Sequence, residues 1–315
     1  MIMERIYITD VAPRDGLQNQ SVAVSTEDKF TLISKLVDAG IENVEVTSFV
    51  SPKAVPMMSD AAELLPKVQN AFPHLNSFAL VPNLKGLEKA QEVGVKEVAL
   101  VLCATETMNQ KNINMGLPEA IQSTLNLIEQ SKQLNIRSRT YISVAFDCPY
   151  EGETPLQRVV ELARQMYEAG TDQIVIADTI GSAAPAQVSQ RIDEILKYIP
   201  QEKVVIHLHD TRGMAVANAW AALQSGIRWF DASVGGIGGC PFAPGAAGNM
   251  ATEDLVLMAE QSGFDTGISL PKLLHAVDHA QQALNKSLGG GSMKWLRQNV
   301  KAAAPLNLNT QKVFT

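Results

Sequence analysis

Apolar and polar positions along this chain fall into short β-branched runs separated by longer stretches with helical spacing. The runs that read as strands are RIYITDV (5–11), NVEVTSF (43–49), SFALV (77–81), EVALVL (97–102), RTYISVAF (139–146), QIVIAD (173–178), VVIHLHD (204–210) and WFDASVG (229–235). Between the first two, STEDKFTLISKLVDAG (25–40) opens on a Ser/Thr cap, keeps its apolar residues at helical spacing and ends in glycine. The same strand, loop, helix and glycine rhythm returns at LKGLEKAQEVG, LQRVVELARQMYEAG and AVANAWAALQSG. Eight such units predict an α/β fold of the closed parallel kind, a (β/α)8 TIM barrel with additional C-terminal helices. An open doubly wound sheet is the main competitor, but no GxGxxG follows the first strand. The barrel is expected over residues 1–265, and residues 266–315 form a C-terminal helical extension packed on it, with LGGGS (288–292) as a flexible break.

Composition narrows the function classes. The 315 residues are 46% hydrophobic and 19% charged, with no apolar run long enough to span a membrane, so the chain reads as a soluble globular protein with no membrane partner. A formal charge of −7 with no basic face argues against nucleic acid as a partner. Cysteines stand only at 103, 148 and 240, without CxxC or zinc-cluster spacing, which fits a reducing compartment. The N-terminus runs straight into a strand pattern, and a cytoplasmic location is the expectation. A homo-oligomer stays open.

In a βα barrel the chemistry gathers where strands end and βα loops begin. Arg14 and Asp15 follow the first strand, Glu45 lies in the second, Asp178 closes the sixth, and His207, His209 and Asp210 finish the seventh. His207 and His209 are two apart on a strand, so both can face one ion. Two histidines alone are a weak signal, because buried structural histidines are common. Closure of the barrel strengthens it by making the seventh, eighth and first strands neighbours, which brings Asp15 toward the pair. Asn249, at the end of the glycine-rich loop GGIGGCPFAPGAAGN (235–249), supplies a further oxygen. Two nitrogens and two oxygens without thiolate suit a divalent cation such as Mg²⁺ or Mn²⁺, with Zn²⁺ still open. Arg14 either pairs with Asp15 or Glu45 or, once Asp15 holds a metal, binds an oxyanion with Glu45 orienting it. Cys240 sits in what reads as a mobile active-site loop that suits a reactive thiol, whereas Cys103 and Cys148 read as packing residues. His74, His275 and His279 have no companion ligand and read as surface or capping residues.

Many separated stretches, PRDGLQNQ, EVTSFVSPKAVPMMSD, LVPNLKGLEKA, KNIN, CPYEG, ADTIG, HLHDTRGMAVAN and GGIGGCPFAPGAAGNMATEDLV, keep the order and spacing of one family. From about residue 5 to 288 the chain resembles hydroxymethylglutaryl-CoA lyase, within the wider group of metal-dependent barrel lyases and Claisen-type condensing enzymes. The resemblance implies retro-aldol cleavage of 3-hydroxy-3-methylglutaryl-CoA, or a close 3-hydroxyacyl-CoA, to acetyl-CoA and acetoacetate or the matching keto acid. It implies that Arg14 stabilises the enolate and that Asp15, His207, His209 and Asn249 bind the divalent cation, Asp15 and His207 counting also as catalytic. Glu45 supports Arg14, Cys240 matches the family's catalytic cysteine, Asp178 matches an acidic residue near the reacting centre, and Gln18 and Ser48 match positions lining the substrate site. Arg212 and Met214 stand where the familiar lyases tend to carry tyrosine and glutamine, and Pro244 where they carry glutamine. These departures leave open an alternative, a related acyl-CoA lyase or condensing enzyme acting on a longer or different acyl group. No residue is assigned to CoA.

Overall fold

The computed structural model describes residues 3–239 and 248–300. Its elements in chain order are β1 (Tyr7–Asp10), a π-helical turn (Ala12–Gly16), α1 (Thr26–Asp38), β2 (Asn43–Ser48), α2 (Ala61–Ala71), β3 (Asn76–Leu80), α3 (Leu84–Glu92) and β4 (Glu97–Cys103). There follow α4 (Glu106–Ile113), α5 (Leu117–Gln133), β5 (Arg137–Ser143), a small hairpin of β6 (Asp147–Cys148) and β7 (Gly152–Glu153), α6 (Leu156–Ala169) and β8 (Gln173–Asp178). The chain continues through α7 (Pro185–Ile195), β9 (Val204–Leu208), α8 (Ala215–Gln224), β10 (Trp229–Ala232), α9 (Thr252–Gln261), α10 (Leu270–Leu284) and α11 (Met293–Asn299). The strands close into a barrel in the order β1-β10-β9-β8-β5-β4-β3-β2, every neighbour parallel. The expected (β/α)8 barrel is therefore the fold, and the hairpin β6–β7 formed by DCPYEGE (147–153) is an addition that strand periodicity did not announce.

Alternation on the strands divides the interior into two. On β9, Val204, Ile206 and Leu208 face outward into a large apolar layer shared with the helices, which also takes Ile174 and Ile176 of β8 and Phe230 and Ala232 of β10. The opposite parity lines the lumen, where Phe78, Ala99, Tyr141, Val175 and Val205 form a small apolar plug. Above that plug the lumen is polar and charged, and this is where the site lies.

The predicted runs at 204–210 and 229–235 end early as strands because their last residues pair with the returning chain. His209 bridges Asn249, and Ser233 bridges Ala251, with Met250 N donating to Leu208 O at 2.9 Å and Asp210 N to Gly248 O at 3.0 Å. This return carries Asn249 to the mouth of β9. The segment LGGGS, expected to be a flexible break, is instead tied down: the N–H groups of Gly290, Gly291 and Ser292 donate to the buried carboxylates of Glu253 and Asp254 at 3.1, 2.7 and 3.0 Å. Helix α10 packs against α1 and α9, with His279 Nε2 at 2.9 Å from Asp28 O and Lys272 paired to Asp38 at 2.9 Å. Among the described residues no helix is long and apolar enough to cross a membrane.

Candidate active site

The first functional residues are delivered by an unusual turn. Straight after β1, residues 12–16 (APRDG) form a π-helical turn in which Gly16 N donates to Val11 O at 3.2 Å and Leu17 N to Ala12 O at 3.0 Å. Single π-turns are rare and are frequently found at functional sites. This one is pinned by the buried carboxylate of Asp10, which accepts from Ala12 N at 3.0 Å, from Val234 N at 2.9 Å and from the Thr252 hydroxyl at 2.7 Å. Asp10 thus ties the turn to the segments that follow the neighbouring strand β10. Gly16 packs closely there: an added Cβ would lie 3.2 Å from the Ile237 side chain.

Arg14 is buried and makes both of the ion pairs that the sequence left as alternatives: Nη2 lies 2.7 Å from Glu45 Oε2, and Nη1 donates to Asp15 Oδ1 at 3.0 Å. Burial works against its charge, but Glu45 and Asp15 more than restore it, so the guanidinium is held even more firmly protonated than usual. Burial pushes the Glu45 carboxyl up, and Arg14 pulls it back. Burial likewise opposes the charge on Asp15, yet Arg14 and the two imidazoles outweigh it and hold its carboxyl below the usual range. Gln18 Nε2 donates to Asp15 Oδ1 at 3.1 Å, so Arg14 and Gln18 together occupy one carboxylate oxygen.

The other oxygen faces the histidines. Asp15 Oδ2 is 4.0 Å from His209 Nε2, and one ligand atom each of Asp15, His207 and His209 lie within 4.8 Å of one another. Burial, reinforced by His207, pushes the His209 imidazole down to about 4, so it is neutral at pH 7, the form in which an imidazole ligates. Asn249 completes the group: its Nδ2 donates to Asp15 Oδ2 at 2.7 Å and to Ile237 O at 3.1 Å, while its Oδ1 is buried without a partner. The four residues expected to converge do so. A buried amide oxygen with nothing to accept from is a group short of a donor or cation. The nearby buried charges, Arg14 and Arg139 against Asp15, Glu45 and Asp231, leave one surplus negative charge. Donor set, burial and charge balance fit a divalent cation.

Of the remaining expected residues, Ser48 and Asp178 stand at the ends of their strands. Ser48 ends β2 with a buried hydroxyl that has no partner. Asp178 ends β8, and burial raises its carboxyl, but its oxygens accept from the N–H groups of Ser182 and Ala183 at 3.0 Å each, which fixes the loop after β8. Arg212, exposed at the rim, bonds the Ser182 carbonyl at 3.1 Å, and Met214 is exposed beside it. A cavity of about 580 Å³ opens at the mouth between Gln18–Gln20, Pro56, Met57 and Gly238–Gly239. Cys240 and Pro244, and most of the loop read as mobile, lie outside the described residues; the flanking Gly238 is needed because an added Cβ would meet Asn249 Nδ2 at 2.3 Å. Cys103 and Cys148 are buried, as their packing role requires.

The sequence reading passed over a second charged layer directly below. Asp231 of β10 is fully buried and is met by Arg139 Nη2 at 2.9 Å, the Tyr141 hydroxyl at 2.7 Å and His207 Nδ1 at 3.3 Å. The signal was available in the alternation of WFDASVG, since Asp231 sits on the same inward parity as His207 and pairs with it in register.

Comparison with known proteins agrees with this geometry. The HMGL-like family profile matches residues 5–279. Over 285 residues, 90% of this chain and 95% of the other, the sequence is 41% identical to a hydroxymethylglutaryl-CoA lyase of Bacillus subtilis. Identity to the human mitochondrial hydroxymethylglutaryl-CoA lyase is 44% over 283 residues, covering 90% and 87% of the two chains. Among solved structures, a hydroxymethylglutaryl-CoA lyase from Pseudomonas aeruginosa superimposes with a TM-score of 0.90 at 37% identity, covering 95% of this chain and 99% of that one. An HMG-CoA lyase from Acinetobacter baumannii, solved with coenzyme A and 3-methylmalate, does so with a TM-score of 0.90 at 35% identity over 97% and 99%. The barrel, its charged mouth and these full-length likenesses concur: the chain belongs to the HMGL-like family of carbon–carbon lyases.

Proposed function

We propose that this protein cleaves 3-hydroxy-3-methylglutaryl-CoA to acetyl-CoA and acetoacetate with the aid of Mg²⁺ or Mn²⁺. The observation that carries the reading is the convergence of Asp15, His207, His209 and Asn249 beside a buried, permanently charged Arg14. Support comes from relatives named for this activity and from the related structure that holds coenzyme A. A divalent cation bound by the four residues supplies Lewis acidity toward a substrate hydroxyl and carboxylate.

As the carbon–carbon bond breaks, the substrate hydroxyl gives its proton to a base at the mouth, and the chain's own groups meet the charge that results and return a proton. Cleavage of the carbon–carbon bond leaves negative charge on a thioester enolate, and Arg14, held by Glu45 from one side, presents guanidinium N–H groups to it without reorganising. Gln18 and Arg14 keep one Asp15 oxygen engaged, which leaves Oδ2 as the ligating atom. Ser48 offers an unpartnered hydroxyl to the substrate. Asp178 acts through the loop after β8, which its carboxylate fixes by accepting from Ser182 N and Ala183 N. Cys240 is assigned the proton delivered to the enolate carbon. The acyl group is the finer question, because Arg212 and Met214 border this mouth.

The test is a cleavage assay of the chelated and metal-restored protein on hydroxymethylglutaryl-CoA beside longer 3-hydroxyacyl thioesters. Turnover of the first substrate that disappears on chelation and returns with Mg²⁺ or Mn²⁺ is the expected result. Metal binding without cleavage of any of the thioesters overturns the reading.

A further inference from the structure

The two histidines of the HLH motif are supported differently, and the difference lies in Asp231. This carboxylate is fully buried on β10, with Arg139 Nη2 at 2.9 Å from Oδ1 and the Tyr141 hydroxyl at 2.7 Å and His207 Nδ1 at 3.3 Å from Oδ2. Arg139 is itself locked: its second amino group donates to the Thr9 hydroxyl at 3.3 Å, and its plane lies against Phe78 and Tyr141 at 4.8 and 5.4 Å. An ionised carboxylate only accepts, an arginine is always protonated, and Tyr141 donates here. The third neighbour must therefore donate as well, which places the imidazole proton of His207 on Nδ1. A neutral imidazole carries one N–H, so the lone pair is left on Nε2. His209 has no such partner, its Nδ1 being buried with nothing to bond.

We infer that Asp231 is a positioning residue that locks His207 in the Nδ1–H tautomer and so fixes Nε2 as its ligating atom, with Arg139 and Tyr141 holding Asp231 in place. This rests on the proposed metal site. Carboxylates behind metal-bound histidines orient the ring and raise its basicity, and their loss weakens metal binding about 10- to 100-fold. In the Asp231→Asn variant, Oδ1 still meets Arg139, but the amide N–H₂ faces Tyr141 and His207. His207 Nδ1 must then accept, the proton moves to Nε2, and the ligating lone pair is gone.

The tautomer can be read without metal or substrate. Long-range ¹H–¹⁵N spectra of the ¹⁵N-labelled, chelated protein at pH 8, with His207 assigned by its loss in His207→Gln, are expected to show a protonated Nδ1 and a bare Nε2. A wild-type His207 protonated on Nε2 overturns the inference whether or not any variant folds. In Asp231→Asn, with folding checked by its melting transition, the tautomer is expected to switch and the Mn²⁺ Kd, measured by electron paramagnetic resonance, to rise about 10- to 100-fold. A folded variant with the wild-type tautomer and Kd also overturns it. If wild type shows the Nδ1–H form yet takes up neither Mn²⁺ nor Mg²⁺, the metal reading fails while the tautomer assignment holds.

Discussion

The two faces of the same strands are built for opposite purposes. Outward from the barrel, Ile174, Ile176, Val204, Ile206, Leu208 and Phe230 pack against the helices in an apolar layer. One residue away on each strand, the inward positions carry Glu45, Arg139, His207 and Asp231, all buried. Apolar burial stabilises in proportion to area, whereas each buried charge must be matched by a partner or it destabilises. The lumen charges are matched in pairs, Arg14 with Glu45 at 2.7 Å and Arg139 with Asp231 at 2.9 Å, and the surplus falls on Asp15 at the mouth. The outer layer holds the barrel closed, and the inner face places charge where a substrate and a cation arrive.

Breaking the inner face should remove the chemistry while the barrel still forms, at a cost in stability where a buried partner is left unmatched. Arg14→Met is expected to lower kcat by about 10²- to 10³-fold, the usual loss when one donor to a developing oxyanion is removed. Its far-ultraviolet spectrum and Mn²⁺ uptake should stay near wild type. Near-normal kcat in this variant removes Arg14 from the reaction. The outer face should give the reverse outcome. Ile176 is wholly buried on β8, and Ile176→Ala is expected to destabilise by about 2–5 kcal/mol in urea unfolding while kcat per folded molecule is unchanged. Equal loss of kcat would show that the two faces are not separable.

How much of this was legible follows the same division. The outer face is a period-2 pattern of β-branched residues, so the eight barrel strands could be read from sequence alone. The residues of the site that lie next to each other in the chain, Arg14 with Asp15 and His207 with His209, were legible for the same reason. Asp231 and Arg139 were passed over, although the inward parity of Asp231 could be counted, because a lone charge on a strand names no partner and here the partner stands 92 residues away. The π-turn was hidden too: APRDG carries no periodicity, and its form depends on Asp10 bonding to Val234 and Thr252 from the opposite end of the chain. The LGGGS segment misled, since glycine composition predicts freedom and says nothing of the Glu253 and Asp254 carboxylates that accept its N–H groups.

Those supporting carboxylates sharpen the comparison through pH. Burial raises both Asp10 and Glu253 to about 7, well above their values in an unfolded chain. A raised carboxyl means that the folded form binds the proton more tightly. Its stabilising contribution is complete below about pH 4, is lost as pH climbs through about 7, and does not fall further above that. The fall approaches about 1.4 kcal/mol per pH unit for each group where only the folded form is protonated. Urea unfolding at pH 5.5 and pH 8 is expected to show the lower stability at pH 8. A higher stability at pH 8 would mean that both groups are ionised in the fold at pH 5.5, their bonds to backbone N–H groups outweighing burial.

The smallest effect belongs to the same chemical pair placed at the other end of the barrel. Arg228 and Glu4 make a two-pronged contact, Nε to Oε1 at 2.8 Å and Nη2 to Oε2 at 2.9 Å, as well formed as the pair of Arg14 and Glu45. The Glu4 side chain is 59% exposed, while that of Glu45 is fully buried. In water the attraction is screened, and holding two long side chains together offsets most of it. Glu4→Gln is therefore expected to leave the urea midpoint and kcat where they are, whereas Glu45→Gln removes the counter-charge of a buried guanidinium and should lower both. Equal effects from the two substitutions would show that geometry, and not burial, decides what a guanidinium–carboxylate pair contributes in this barrel.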